Sequence, residues 1–176
     1  IFLPFIPRWV LPNHITTFRF LTVPFVAWLL YSGVYFWGGL LFVVSAFSDA
    51  LDGAMARTRN QITDWGKLFD PLADKLLIGV VAIILVTRFI SVWLAGVIVV
   101  LESVTVFFSI YKKYVLKKSV QALWPGKVKM ILQSVGVALL ILSLVLAAPF
   151  LTDIAAWFLY AAVVFAVVSL LVYKSI

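Results

Sequence analysis

Six long apolar segments dominate this sequence and constrain its fold more than any other feature. Each is close to the length of about 20 residues that a helix needs to cross the hydrocarbon core of a bilayer. They predict an all-α, polytopic integral membrane protein with six transmembrane helices. We expect a single domain over residues 1–176, with residues 1–13 as an interfacial lead-in. The predicted spans are Ile15–Val34, Tyr35–Met55, Leu68–Thr87, Val92–Lys112, Val128–Ala147 and Ile154–Tyr173.

The composition is typical of a chain embedded in lipid. Of the 176 residues, 65% are hydrophobic and 12% are charged, whereas soluble domains carry about 25% charged residues. The chain has no cysteine and a single histidine, His14, which excludes disulfides, thiolate metal sites and multi-histidine centres. We attribute the net charge of +7 to loops that face anionic membrane lipids, and we expect no nucleic-acid partner.

The basic residues are distributed unevenly between the two sides of the predicted membrane. With both termini on one side, that side receives every lysine and arginine except Arg88. Loops on the cytoplasmic side carry such an excess of positive charge. We therefore predict cytoplasmic N and C termini, with the plasma membrane of a prokaryote as the location.

Acidic residues are concentrated in one short stretch. Five of the seven lie between Asp49 and Asp74. A carboxylate at the centre of a membrane helix costs roughly 2.5–3.5 kcal/mol on insertion scales, so such residues usually mark a functional site. Asp49 and Asp52 have an i,i+3 spacing, and Asp70 and Asp74 have an i,i+4 spacing, so each pair shares a helix face. Antiparallel packing of the second and third helices would bring the four carboxylates together near the cytoplasmic surface.

A group of four carboxylates predicts a metal site. Four anions cannot all stay ionised in one place without compensating charge, and hard divalent cations with oxygen ligands provide it. We expect Mg²⁺ or Mn²⁺, as two ions, because these metals leave open positions for phosphate oxygens. The predicted ligands are Asp49, Asp52, Asp70 and Asp74.

Small residues and one arginine follow the first carboxylate pair in a fixed pattern. Small side chains would let a ligand lie against the helix backbone, and the fork of an arginine suits a phosphate. At every fixed position the pattern matches the signature of the CDP-alcohol phosphatidyltransferase family, which this chain resembles. Members of that family displace CMP from a CDP-linked lipid and join the phosphatidyl group to an alcohol. The pattern is Asp49-x2-Asp52-Gly53-x2-Ala56-Arg57-x8-Gly66-x3-Asp70-x3-Asp74.

The resemblance implies a role for each residue of this motif. The four aspartates would form a binuclear metal site, and Asp74 would also act as the general base. Asn13 would contact the nucleotide or, alternatively, cap the first span. The substrates would be CDP-diacylglycerol and a small alcohol, and the protein would be a homodimer, as its relatives commonly are. The CDP-lipid would be held at Asn13, Gly53, Ala56, Arg57 and Gly66.

Shorter elements indicate which alcohol is the acceptor. The stretch from Leu11 to Arg19 resembles the branch of the family that makes phosphatidylglycerophosphate and cardiolipin, and so does the element around Lys127 and Lys129. A phosphorylated acceptor needs a cationic pocket, for which we name Arg19, Lys127 and Lys129. We expect sn-glycerol 3-phosphate as the acceptor. Phosphatidylglycerol, which would give cardiolipin, and another polyol phosphate stay open as alternatives.

Two further features lie within the predicted spans. Many members of that branch carry an Arg-Glu pair in the fourth span, where this chain has Leu101 and Glu102. A carboxylate at such a position predicts a function or a cationic partner, which the sequence does not identify. Gly38-Gly39 and Gly136 are predicted to be helix-packing or turn positions.

Two other classes of function compete with the transferase. A cation transporter or channel would also place carboxylates in the membrane, but it would not need the small residues and the arginine of the motif. A catalytically silent scaffold would have no need of four aspartates. The motif therefore favours the enzyme.

Overall fold

The computed structural model is built from six α-helices. It describes the backbone of residues 12–58, 64–114 and 124–174, and the side chains of residues 15–48, 72–108 and 124–172. No β-strand occurs within these ranges, so the all-α prediction is confirmed. The helices are α1 (Pro12–Tyr31), α2 (Tyr35–Thr58), α3 (Asp64–Phe89), α4 (Val92–Tyr114), α5 (Trp124–Leu146) and α6 (Phe150–Lys174).

Several helices begin a few residues before the spans predicted from the apolar segments. α5 begins at Trp124 rather than at Val128, and α6 begins at Phe150 rather than at Ile154. α1 begins at Pro12, inside the predicted lead-in of residues 1–13, and residues 1–11 lie outside the described part of the chain. Proline fits a first helical turn because the amide hydrogens there have no acceptor within the helix. The apolar pattern located the helices, whereas their first turns extend into more polar sequence.

Among the residues whose side chains the structure describes, two helices are long and apolar enough to cross a membrane, Trp124–Leu146 and Phe150–Val172. Apolar stretches of α1, α2 and α4 are shorter within the described side chains, and they comprise Ile15–Tyr31, Tyr35–Ser48 and Val92–Phe108. Large apolar side chains such as Trp28, Trp93 and Trp157 are exposed. Apolar surface in such amounts is unusual for a soluble monomer and suits contact with lipid. The six-span arrangement and the side of the membrane on which the termini lie stay predictions.

By its internal contacts the chain divides into two compact units, Ile1–Val81 and Ala82–Ile176. In the first unit, α1 packs against α2. In the second unit, α5 packs against α6, and α6 also contacts α4. The single domain over residues 1–176 stays a prediction.

A tight turn at residues 32–34 connects α1 to α2. The amide of Val34 donates a hydrogen bond to the carbonyl of Leu29 at 2.9 Å, which closes the last turn of α1. Gly33 has a φ of 81°, a left-handed conformation that glycine adopts without a steric penalty at helix ends. A Cβ atom at Gly38 would lie only 2.7 Å from Leu30 Cδ2. The missing side chain lets α2 approach α1 closely, so the prediction that Gly38 is a packing position is confirmed.

The α5–α6 hairpin has a regular antiparallel register. A Cβ atom at Gly136 would lie 2.9 Å from Leu159 Cγ, which confirms Gly136 as a packing position. Near the turn, the Ser143 and Thr152 hydroxyl oxygens lie 2.7 Å apart. Each step along α5 from Gly136 to Ser143 is matched by an equal step back along α6 from Leu159 to Thr152. Small residues on the buried face of α6, such as Ala155, allow this close packing.

Candidate active site

The four aspartates of the motif lie on two helices, as predicted. Asp49 and Asp52 belong to α2, and Asp70 and Asp74 belong to α3. With a rise of about 1.5 Å per residue, both pairs are spaced for one face of a helix. The side chains of Asp49, Asp52 and Asp70 lie outside the described residues, whereas Asp74 is half-buried.

The metal site stays a prediction. Among the described side chains there is no group of three or more histidine, aspartate or glutamate residues, but that part of the chain contains only one of the four predicted ligands, Asp74. The donor set consists of carboxylate oxygens alone, which is the chemistry that Mg²⁺ and Mn²⁺ prefer. The residues of the motif therefore fit the expected ions.

The residues predicted to hold the CDP-lipid also lie on helices. Asn13 is the second residue of α1, and both its contact with the nucleotide and its alternative role as a helix cap stay predictions. Gly53, Ala56 and Arg57 lie on α2, and Gly66 lies on α3. The structure describes only the backbone at these four positions and at Asn13, so the predicted contacts with the CDP-lipid stay predictions.

Arg19 is completely buried in the first unit, with 0% of the residue exposed. It occupies one face of α1 together with Thr16 and Thr22, which are buried as well. The Thr22 hydroxyl donates to the Arg19 carbonyl oxygen at 2.9 Å and lies 2.8 Å from the Ser45 hydroxyl of α2. This part of the α1–α2 interface is therefore polar.

The polar part of the interface leads along α2 towards the motif. Ser45 and Ser48 are both buried, and the Ser48 hydroxyl donates to the Ser45 carbonyl oxygen at 2.7 Å. Asp49 and Asp52 follow Ser45 at i+4 and i+7, the positions that share its helix face. No role was predicted from the sequence for Thr22, Ser45 or Ser48. The signal that could have found them is their spacing, since hydroxyl residues recur at helical intervals beside Arg19 and before Asp49.

The two lysines that were predicted to bind the acceptor differ in their surroundings. Both belong to α5. Lys127 is exposed, whereas only 6% of the surface of Lys129 is accessible. The Lys129 ammonium donates to Glu102 Oε1 of α4 and forms an ion pair with it. This pair supplies the cationic partner of Glu102 that the sequence did not identify. The other carboxylate oxygen, Glu102 Oε2, is buried and has no hydrogen-bond partner among the described residues.

Lys129 also lines a small cleft in the second unit. Lys129 and the buried Gln133 form its polar wall, and apolar or small side chains form the rest. The apolar lining consists of Ile98, Leu101, Ala162, Val163 and Ala166.

Comparisons with known proteins show which family and which proteins this chain is similar to. The family model described as CDP-alcohol phosphatidyltransferase matches residues 9–168. The Escherichia coli K12 protein named CDP-diacylglycerol–glycerol-3-phosphate 3-phosphatidyltransferase is 30% identical over 138 residues, which cover 74% of this chain and 76% of that protein.

Proteins of the same name from Rickettsia are more similar over a shorter region. The Rickettsia typhi protein is 43% identical over 81 residues, which cover 44% of this chain and 46% of that protein. The Rickettsia prowazekii protein is 43% identical over 81 residues, which cover 45% of its length. This chain thus matches less than half the length of these Rickettsia relatives.

Proposed function

The chain belongs to the CDP-alcohol phosphatidyltransferase family, and on that premise we propose that it transfers the phosphatidyl group of CDP-diacylglycerol to sn-glycerol 3-phosphate and releases CMP. The observation that carries the proposal is the family match over residues 9–168, which includes the whole motif from Asp49 to Asp74. The acceptor is supported by the names of the Escherichia coli and Rickettsia relatives.

Asp74 is the general base of the proposed reaction. Its carboxylate takes the proton of the acceptor hydroxyl as the hydroxyl oxygen attacks the phosphorus that carries the diacylglycerol. The new bond joins this oxygen to phosphorus, and the bond from phosphorus to the bridging oxygen of CMP breaks. CMP leaves with the electron pair of that bond. Asp74 is half-buried, which favours a carboxylate that is held in one orientation.

The four aspartates hold the metal in this proposal. When bound, Mg²⁺ or Mn²⁺ supplies positive charge against the pyrophosphate and the departing CMP. The carboxylates of Asp49, Asp52 and Asp70 serve as ligands together with Asp74. Their i,i+3 and i,i+4 spacing on the helices α2 and α3 supports a shared role.

The remaining residues of the motif bind the nucleotide in this proposal. Gly53, Ala56 and Gly66 leave room against the helix backbone, and the Arg57 guanidinium binds a phosphate. Asn13 contacts the nucleotide.

The acceptor phosphate is bound by basic side chains. We assign this role to Arg19, Lys127 and Lys129. Lys127 is exposed and accessible to a soluble anion, whereas Lys129 is buried and shares its charge with Glu102. Lys127 therefore contributes the more available of the two lysine charges.

The proposed reaction takes place at a membrane. We propose six spans with both termini in the cytoplasm, a plasma-membrane location and a homodimer. Two apolar helices of sufficient length and the exposed tryptophans support the membrane location. Because the chain has no cysteine, a single Ser32→Cys variant in the α1–α2 turn tests the orientation. A membrane-impermeant maleimide should label it from outside intact cells, and labelling only after lysis would contradict the proposed orientation.

The decisive assay measures CMP release by the purified protein. We expect release only when CDP-diacylglycerol, sn-glycerol 3-phosphate and Mg²⁺ are all present, and mass spectrometry should identify phosphatidylglycerophosphate. Cardiolipin formation from added phosphatidylglycerol would replace the proposed acceptor. Cation flux in proteoliposomes without nucleotide, and without CMP release, would contradict the transferase.

A further inference from the structure

Arg19 is a completely buried cation in the α1–α2 hairpin of the first unit. Arginine keeps its proton in proteins, and a buried charge is costly unless an opposite charge lies beside it. The other buried polar side chains described in this hairpin carry hydroxyl groups, which are neutral; they are Thr16, Thr22, Ser45 and Ser48. The charge of Arg19 therefore requires a carboxylate nearby.

The hairpin contains two carboxylates. Residues 12–58 include Asp49 and Asp52 and no other acidic residue. Both follow Ser45 at spacings that share its helix face. This face of α2 meets α1, since the Ser45 hydroxyl oxygen lies 2.8 Å from that of Thr22. Within the hairpin, the candidate partners of Arg19 are therefore the first two aspartates of the acidic motif.

Two contacts fix the antiparallel register of the hairpin. Close to the turn, a Cβ atom at Gly38 of α2 would lie 2.7 Å from Leu30 Cδ2 of α1. About two helical turns further away, the hydroxyl oxygens of Thr22 and Ser45 meet. A step of seven residues along α2 is thus matched by a step of eight residues back along α1. The two helices therefore run side by side in opposite directions over this length.

Continued by about one turn, this register places Arg19 level with Asp49. Arg19 comes three residues before Thr22 in α1, and Asp49 comes four residues after Ser45 in α2. Both steps keep to the helix faces that meet in the hairpin. Asp52 comes another three residues further from the turn, or about 4.5 Å along the helix. The register therefore assigns Asp49 to Arg19.

We propose that Arg19 is an internal counter-ion of Asp49, which keeps this carboxylate charged and in place while no metal is bound. Four aspartates in the proposed metal site repel one another, and the Arg19 guanidinium offsets one of their charges. Its role as a positioning residue for a metal ligand rests on the proposed function, whereas the ion pair itself does not. A guanidinium has five donors, so the pair leaves others for the acceptor phosphate.

The test measures the thermal unfolding midpoint of the whole chain in detergent, with EDTA and without substrate. Arg19→Met leaves Asp49 without its counter-ion, so the midpoint should fall by roughly 10 °C. Arg19→Lys keeps the positive charge and should retain most of the wild-type midpoint. The matched control is Arg88→Met, which removes an exposed arginine of α3 and should change the midpoint little.

Double variants identify the partner of Arg19. Combined with Arg19→Met, Asp49→Asn should restore most of the lost midpoint, because neither charge of the pair then remains. Asp52→Asn in the same background measures the general relief of repulsion within the motif, and it should restore much less. Should Arg19→Met yield no folded protein, recovery of folded protein by Asp49→Asn but not by Asp52→Asn supports the pair equally. Equal recovery by both, or by neither, would overturn the pair and leave the proposed function in place.

Magnesium connects the pair to the metal site. Mg²⁺ should raise the midpoint of the wild-type protein, because a ligand that binds the folded state stabilises it. It should raise the midpoint of Arg19→Met by more, because that variant lacks the cation that offsets Asp49. An equal rise in both proteins would overturn the role of Arg19 in the metal-free site. No rise in the wild type, together with no CMP release, would overturn the proposed function, while the double variants still decide the ion pair.

Discussion

The α1–α2 pair and the α5–α6 pair are both helical hairpins, but they fill their interfaces in different ways. The first interface is apolar near the turn, where Leu30 is buried, and polar further on, where Arg19 and Ser45 are buried. The second is packed closely through small residues such as Gly136 and Ala155. Both hairpins combine a close glycine contact with buried polar groups, which include Gln133 and Ser143 in the second. Only in the first do such groups precede the acidic motif on the same helix, where Ser45 and Ser48 come before Asp49.

The buried cations of the two units extend this comparison. Arg19 lies on a face of α1 that also carries buried hydroxyl groups, whereas Lys129 is held by the carboxylate of Glu102 on a neighbouring helix. We therefore expect the largest loss of catalysis at Asp74 of the first unit, and the largest losses of stability at Lys129 and Gly136 of the second. Four experiments test this difference between the two units.

We expect the strongest change in catalysis, at Asp74 of the first unit. Asp74→Asn removes the proposed base while it keeps the size of the side chain, and loss of a general base lowers rates by roughly 10²- to 10⁴-fold. The measurement is CMP release by purified protein, with the thermal unfolding midpoint as a check on folding. Asp153→Asn in α6 should retain wild-type activity, and a comparable loss there would contradict the special role of Asp74.

A smaller effect is expected on the stability of the second unit. Lys129→Met removes the cation beside Glu102 and leaves a largely buried carboxylate uncompensated, which should lower the free energy of unfolding by about 3 kcal/mol. The fraction of folded protein after heating in detergent measures this loss. The double variant Glu102→Leu with Lys129→Met should recover most of it, and a double variant less stable than the single one would contradict the coupling.

Close packing of the second hairpin predicts a more moderate loss. At Gly136, an added Cβ atom would lie 2.9 Å from Leu159 Cγ and 3.3 Å from the Ala155 carbonyl oxygen. Gly136→Ala should therefore destabilise the protein by about 1–3 kcal/mol through overpacking. Gly96→Ala is the matched control, because no described residue of another helix lies within 4 Å of a Cβ atom there, and it should be neutral or slightly stabilising. Equal effects at both positions would contradict the close approach of α5 and α6.

The smallest effects concern single hydroxyl contacts between helices. Ser45→Ala removes the 2.8 Å contact with Thr22 in the first hairpin, and Ser143→Ala removes the 2.7 Å contact with Thr152 in the second. Each should cost about 0.5–1.5 kcal/mol, measured by thermal unfolding. Ser103→Ala, at an exposed position whose hydroxyl bonds only within α4, should cost less. A loss of CMP release in Ser45→Ala but not in Ser143→Ala would show that only the first hairpin contributes to catalysis through its hydroxyl groups.

Much of the fold and part of the candidate site could be predicted from the sequence. The apolar segments located all six described helices, because hydropathy and helical periodicity are local properties of the chain. The motif placed Asp49 and Asp52 on one helix and Asp70 and Asp74 on the next, as the structure has them. Gly38 and Gly136 were also predicted correctly as packing positions.

The first turns of the helices were predicted less well. α5 includes Trp124 and Pro125, and α6 includes Phe150, which the apolar windows left outside the spans. A hydropathy pattern marks where the chain prefers lipid, whereas a helix ends where its hydrogen bonds end. The two boundaries need not coincide.

The class of fold, the family and the acidic motif could all be read from the sequence, since they depend on composition, spacing and residue type. The packed structure was needed to show that Lys129 is the partner of Glu102, that Arg19 is completely buried, and that Gly136 faces Leu159. The reason is physical. Contacts between residues far apart in the chain depend on the register in which helices pack, and that register is chosen by the fit of many side chains at once.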